Sequence, residues 1–130
     1  MKTICMALLK KAILDYTENT NNNEVTEELL YDLNLTVYTG TRKTRALGTY
    51  RRRNRLITIN LTKLNKINEE YNRSNTKLLD NVIRHELAHH IDWCIRNTSH
   101  HDTHFRRCCN NIGMLDTNTR TAIFEDKWND

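Results

Sequence analysis

The chain has 130 residues, 38% apolar and 28% charged, with a formal net charge of +4 and a mean hydropathy of −0.75. That allows one domain with one modest core, and no stretch is apolar for long enough to span a bilayer. Three glycines and no proline argue against a strand-and-turn fold and for a mostly helical α+β domain with one small sheet.

At the N-terminus Ile4, Leu8, Ala12 and Tyr16 recur at helical spacing, and Lys10 and Lys11 interrupt a short apolar run. The segment therefore reads as an amphipathic helix and not as a signal peptide. Asn19 to Asn23 is a polar, loop-like tract. A second short helix is predicted near Val25 to Tyr31, with Thr26 as its start signal and acidic residues in its first turn. Leu33, Leu35 and Val37 then alternate with polar residues, and Thr39-Gly40-Thr41 can turn the chain. Ala46 to Tyr50 and Arg55 to Asn60 read as further strands, so the expectation is a three-stranded antiparallel meander.

From Leu33 to Lys66 there is no acidic residue, and nine basic ones give the segment a charge of +9. Arg42, Lys43, Arg45, Arg51, Arg52, Arg53 and Arg55 sit at the predicted turns and exposed positions. One-sided charge of this kind attracts phosphates or an acidic partner, which makes these seven the candidate nucleic-acid contacts.

Leu61, Leu64, Ile67 and Tyr71 return to helical spacing, and the best-defined helix runs from about Thr76 to Arg96. Leu79, Ile83, Leu87, His90, Ile91 and Cys94 fall on one side of it. His85 and His89 project from another side, with Asp92 and Arg96 beside them and Glu86 between the two faces. Phe105, Cys109 and Ile112 suggest a last short helix ending at Gly113. Trp93 and Trp128 read as packing residues. Cys5, Cys94, Cys108 and Cys109 form no C-x-x-C pair. They read as reduced thiols of an intracellular protein, cytoplasmic or nucleoid/nuclear, with no membrane contact.

All six histidines lie between residues 85 and 104, and His85-Glu86-Leu87-Ala88-His89 matches H-E-x-x-H on the strongest helix. Residues four apart stack on successive turns, so two imidazoles reach one ion near 2 Å. A glutamate following the first histidine can contact a water there as general base without ligating the metal. A catalytic zinc site needs a third protein ligand and one open position. His100, His101 and His104 are the candidates, and spacing alone does not choose among them.

This segment, followed by His100-His101-Asp102-Thr103-His104-Phe105, resembles the SprT-like zinc metallopeptidases. Their pattern is H-E-x-x-H, a variable spacer, then a histidine followed four residues later by Phe. Leu47-Gly48-Thr49-Tyr50, through Arg55 to Asn60, is similar to the family's glycine-containing hairpin. The resemblance covers roughly residues 33–113. It implies a single zincin-like domain over 1–130, its sheet packed by the H-E-x-x-H helix and residues 114–130 forming a C-terminal tail. It implies Zn2+ as cofactor on His85, His89 and His101, Glu86 as catalytic base, and Phe105 packing behind the metal. The implied substrates are peptides or proteins, among them proteins bound or crosslinked to DNA, as in DNA repair. His104 and Asp102 depart from the pattern, standing where the family often has an acidic residue and Gly, and residues 117–130 hold no zinc-ribbon cysteine. Two other readings stay open: a zinc-stabilised nucleic-acid-binding module without catalysis, and a regulatory zinc peptidase that cuts one specific protein.

Overall fold

The structure, a computed structural model, describes residues 1–20, 25–40, 46–118 and 121–130. In chain order the elements are α1 (Lys2–Thr20), α2 (Glu27–Tyr31), β1 (Asn34–Tyr38), β2 (Gly48–Arg51), β3 (Leu56–Asn60), α3 (Leu61–Glu70), α4 (Lys77–Arg96) and α5 (Thr103–Ile112). Short 3-10 turns occur at Arg52–Asn54 and Asp126–Trp128. The α+β class and the single three-stranded sheet are as expected. No described helix is long and apolar enough to cross a membrane.

The sheet departs from the antiparallel meander. Its order is β1-β3-β2, with β2 antiparallel to β3 but β1 parallel to it, Leu35 opposite Ile57 and Val37 opposite Ile59. Burial explains the order: β3 carries Ile57 and Ile59, both without exposed surface, whereas every residue of β2 is half-buried or exposed. The most apolar strand takes the centre, where both of its edges are paired, and the polar one goes to the rim. Arg55, in the left-handed region at φ 49°, closes the β2–β3 hairpin.

The helix starts follow their local chemistry. Thr26 caps α2 by accepting from Leu29 N, and Asn60, the last residue of β3, caps α3 by accepting from Lys63 N. Gly113 ends α5 with φ 80°, the left-handed conformation that favours glycine. In α1 the buried stripe is Cys5, Leu9, Ala12, Ile13 and Tyr16, while Ile4 is 44% exposed. The apolar face is therefore turned from the Ile4–Leu8 line, and α1 continues as helix through Asn19 and Thr20. Trp128 is fully buried and joins the same core, which thus draws on residues outside 33–113.

α4 is the central element, with twelve of its residues buried, polar ones included. Arg84 on this helix is 8% exposed at its side chain and ties three helices together. It pairs with Asp15 of α1 at 2.8 Å and Asp80 at 3.1 Å, and donates to the Ile112 carbonyl at the end of α5 at 2.6 Å. Removing the guanidinium leaves Asp15 and the Ile112 carbonyl without it. Arg84→Met is expected to cost about 2 kcal/mol, below the range for fully buried pairs because both aspartates are partly exposed. Urea unfolding measures it, and an unchanged midpoint would contradict this role.

Candidate metal centre

His85 and His89 stand one turn apart on α4, and the chain after Asn97 brings His101 back to them. One nitrogen from each of the three rings lies within 4.8 Å of the others. His89 Nε2 and His101 Nε2 face each other at 3.0 Å. Nitrogens held about 2.0–2.1 Å from one tetrahedral ion stand about 3.4 Å apart, so the three rings need only a small adjustment to share a metal. Phe105, fully buried, packs against all three, stacking on His89 at 4.4 Å and meeting His85 and His101 edge-on at 5.0 Å each.

The return of the chain is enforced by charge. Asp92, the next helical position after the histidine face, is 0% exposed and accepts from Arg96 at 2.6 and 2.7 Å. The same guanidinium donates to Asp102 at 3.0 and 3.1 Å, and Asp102 caps α5 by accepting from Phe105 N. Arg96 thus clamps the end of α4 to the start of α5, with His101 immediately before the cap. Burial alone would raise the Asp92 carboxyl; the bonds with Arg96 and His104 outweigh it and hold it below the ordinary carboxylate range.

His104 is not part of the three-imidazole group. Its Nδ1 bonds Asp92 Oδ1 at 2.6 Å. Asp92, His104 and Cys108 make a second close group, but the Arg96 guanidinium occupies both Asp92 oxygens and its charge opposes a cation there. His90 is a structural residue. Its Nε2 donates to the Leu29 carbonyl at 2.7 Å, so its Nδ1 accepts from the Tyr50 hydroxyl at 2.7 Å and no lone pair is left for a metal. His100 is exposed, and its ring bonds the Thr98 hydroxyl at 3.2 Å.

Glu86 is 4% exposed, and its Oε2 has no hydrogen-bond partner. Burial pushes its carboxyl up to about 8. With His85 it lines a cleft of about 370 Å³ whose walls include Gly48, Ile67, Val82 and Ile123. A Cβ on Gly48 would lie 2.7 Å from Val82 Cγ1 and 3.3 Å from Glu86 Cγ, so the glycine is what lets β2 run against α4 here. Burial also pushes His85 down to about 4; burial and the neighbouring rings push His89 down to about 3. Both are therefore neutral near pH 7, with lone pairs free for a cation. An orphaned carboxyl oxygen in the cleft that His85 lines, with three imidazoles converging, fits a divalent metal with an activated water.

Of the basic candidates, Arg51, Arg52, Arg53 and Arg55 are exposed around the β2–β3 turn; Arg42, Lys43 and Arg45 lie outside the described residues. Arg52 stacks over the half-buried Trp93 at 4.6 Å and donates to Asn97 at 2.6 Å. Arg55 pairs with Asp32 at 3.2 Å. The four cysteines are free thiols. Sequence reasoning placed Asp92 beside the histidines without assigning it to the interior, and gave Ser99 no part. Yet Ser99 Oγ lies 2.7 Å from His89 Nδ1.

The sequence model of the SprT-like family matches residues 9–125. No curated protein and no solved structure matches the chain.

Two outcomes follow from this geometry. His101→Ala is expected to abolish stoichiometric zinc binding while His104→Ala retains it, measured by metal analysis after dialysis; the reverse pattern would contradict the arrangement. The metal-free protein should also show a pH signature. Depressed His85 and His89 contribute stability that is present above their ordinary 6.5 and lost as pH falls toward 4. Raised Glu86 contributes stability that is present below its ordinary 4.5 and lost as pH rises toward 8. From pH 6.5 to 8 stability should therefore fall, by at most about 1.4 kcal/mol per pH unit, and Glu86→Gln should flatten that limb. Wild-type denaturation midpoints as flat as those of the variant would count against it.

Proposed function

The chain belongs to the SprT-like family, a zinc-associated family of zincin-like proteases, and from that premise we propose that it is a zinc-dependent metallopeptidase. The observation that carries the reading is the unpartnered Glu86 Oε2 in a cleft that His85 also lines, with the imidazoles of His85, His89 and His101 converging. His85, His89 and His101 would hold the ion and leave a fourth position open. Zinc held there would polarise the scissile carbonyl, acidify a water and, by its charge, offset the burial that raises Glu86. Glu86 accepts the proton of the attacking water and delivers it to the leaving amine. β2 pairs only with β3 among the described residues, and its free edge suits an extended peptide laid beside the cleft.

We further propose that the substrates are proteins bound or crosslinked to DNA. The support is the acid-free segment from Leu33 to Lys66, with Arg51 and Arg53 exposed at the β2–β3 turn. Arg52, Arg53 and Arg55 also line a cleft of about 470 Å³ with Trp93. Arginines so placed contact phosphates without reading sequence.

The test compares zinc-loaded wild type and Glu86→Gln on a DNA-bound protein, with and without DNA. The variant is expected to keep its zinc and lose cleavage by about 10²–10⁴-fold. Equal cleavage by both proteins, or none by wild type, would overturn the peptidase reading, and the second result favours a zinc-stabilised binding module. Charge reversal of Arg51 and Arg53 together is expected to weaken DNA stimulation and lower its salt dependence. Cleavage confined to one free protein and indifferent to DNA would instead mark a regulatory peptidase.

A further inference from the structure

One hydroxyl outside the three-imidazole set meets one of its rings: Ser99, in the turn between α4 and α5, places its Oγ 2.7 Å from His89 Nδ1. The other ring nitrogen, Nε2, faces His101 Nε2 at 3.0 Å and must keep its lone pair to ligate a metal. The ring proton then stands on Nδ1 and is donated to Ser99 Oγ.

We propose that Ser99 is a positioning residue that locks His89 in the Nδ1–H tautomer and aims its Nε2 at the metal. This rests on the zinc reading above. The turn that carries Ser99 is closed by the Arg96 bridge between Asp92 and Asp102. A hydrogen bond to the far nitrogen of a ligand imidazole fixes its orientation and raises its basicity. Loss of such a partner typically weakens metal binding by about 10–100-fold.

Ser99 is the place to test this, because Ser99→Ala deletes one hydroxyl and leaves the Asp92–Arg96–Asp102 clamp intact. Zinc affinity is measured by competition with a chromophoric chelator for wild type, Ser99→Ala and Ser99→Thr. Long-range 1H–15N spectra of the zinc-free proteins report the His89 tautomer, and thermal unfolding of the same samples reports the fold. Ser99→Ala should bind zinc about 10–100-fold more weakly, with an unchanged zinc-free melting temperature and His89 distributed over both tautomers. Ser99→Thr should restore affinity and tautomer. Affinity within twofold between wild type and Ser99→Ala, or wild-type His89 carrying its proton on Nε2, would overturn the proposal while leaving zinc binding standing. A wild-type protein that takes up no zinc would overturn this proposal together with the metallopeptidase reading.

Discussion

An aspartate with no exposed surface sits at the last turn of the central helix, and much of the molecule is arranged to satisfy it. A buried carboxylate stays ionised only when several donors surround it. Arg96 supplies two bonds to Asp92, and its remaining donors reach Asp102. Asp102 in turn caps α5 through Phe105 N. One electrostatic requirement therefore dictates how the chain returns after α4. The same return carries His101 to the pair on α4, sets Phe105 beneath all three rings and brings Ser99 against His89.

His85, His89 and the Glu86 carboxyl share a second constraint, removal from water. Desolvation keeps His85 and His89 unprotonated and Glu86 protonated in the absence of a cation. The same burial that makes the site unfavourable when empty of charge makes it receptive to a divalent ion, whose field reverses the penalty on Glu86. Gly48 contributes from the sheet side, since any side chain there would push β2 off Val82 and Glu86. The cleft thus lies where β2 meets α4, with α3 and the C-terminal segment completing its walls.

The helix with H-E-x-x-H was legible because its apolar positions recur with the 3.6-residue period, which also puts His85 and His89 on one face. The choice among His100, His101 and His104 was not legible from spacing, because it depends on the Arg96–Asp102 bridge across the turn; family resemblance supplied it. Strand alternation told which residues of β1 and β3 face inward but carried no information on which strands are neighbours, so the central place of β3 and the parallel pairing of β1 were missed. In α1, Ile4 and Cys5 are both apolar, and composition could not tell which of the two lines packs inward. Asp92 stands beside the histidines in the sequence with no signal of burial, since its partners lie up to twelve residues further on. Ser99 is a hydroxyl in a turn, a position with no periodic signal at all.

The central claim is a metal held by three imidazoles with one position left for water. X-ray absorption at the zinc edge of the loaded protein tests it most directly. Three histidine ligands and one open position require a shell of three imidazole nitrogens and one further light atom at about 2.0–2.1 Å. A sulfur scatterer at about 2.3 Å, or a fourth imidazole closing the shell, would contradict it.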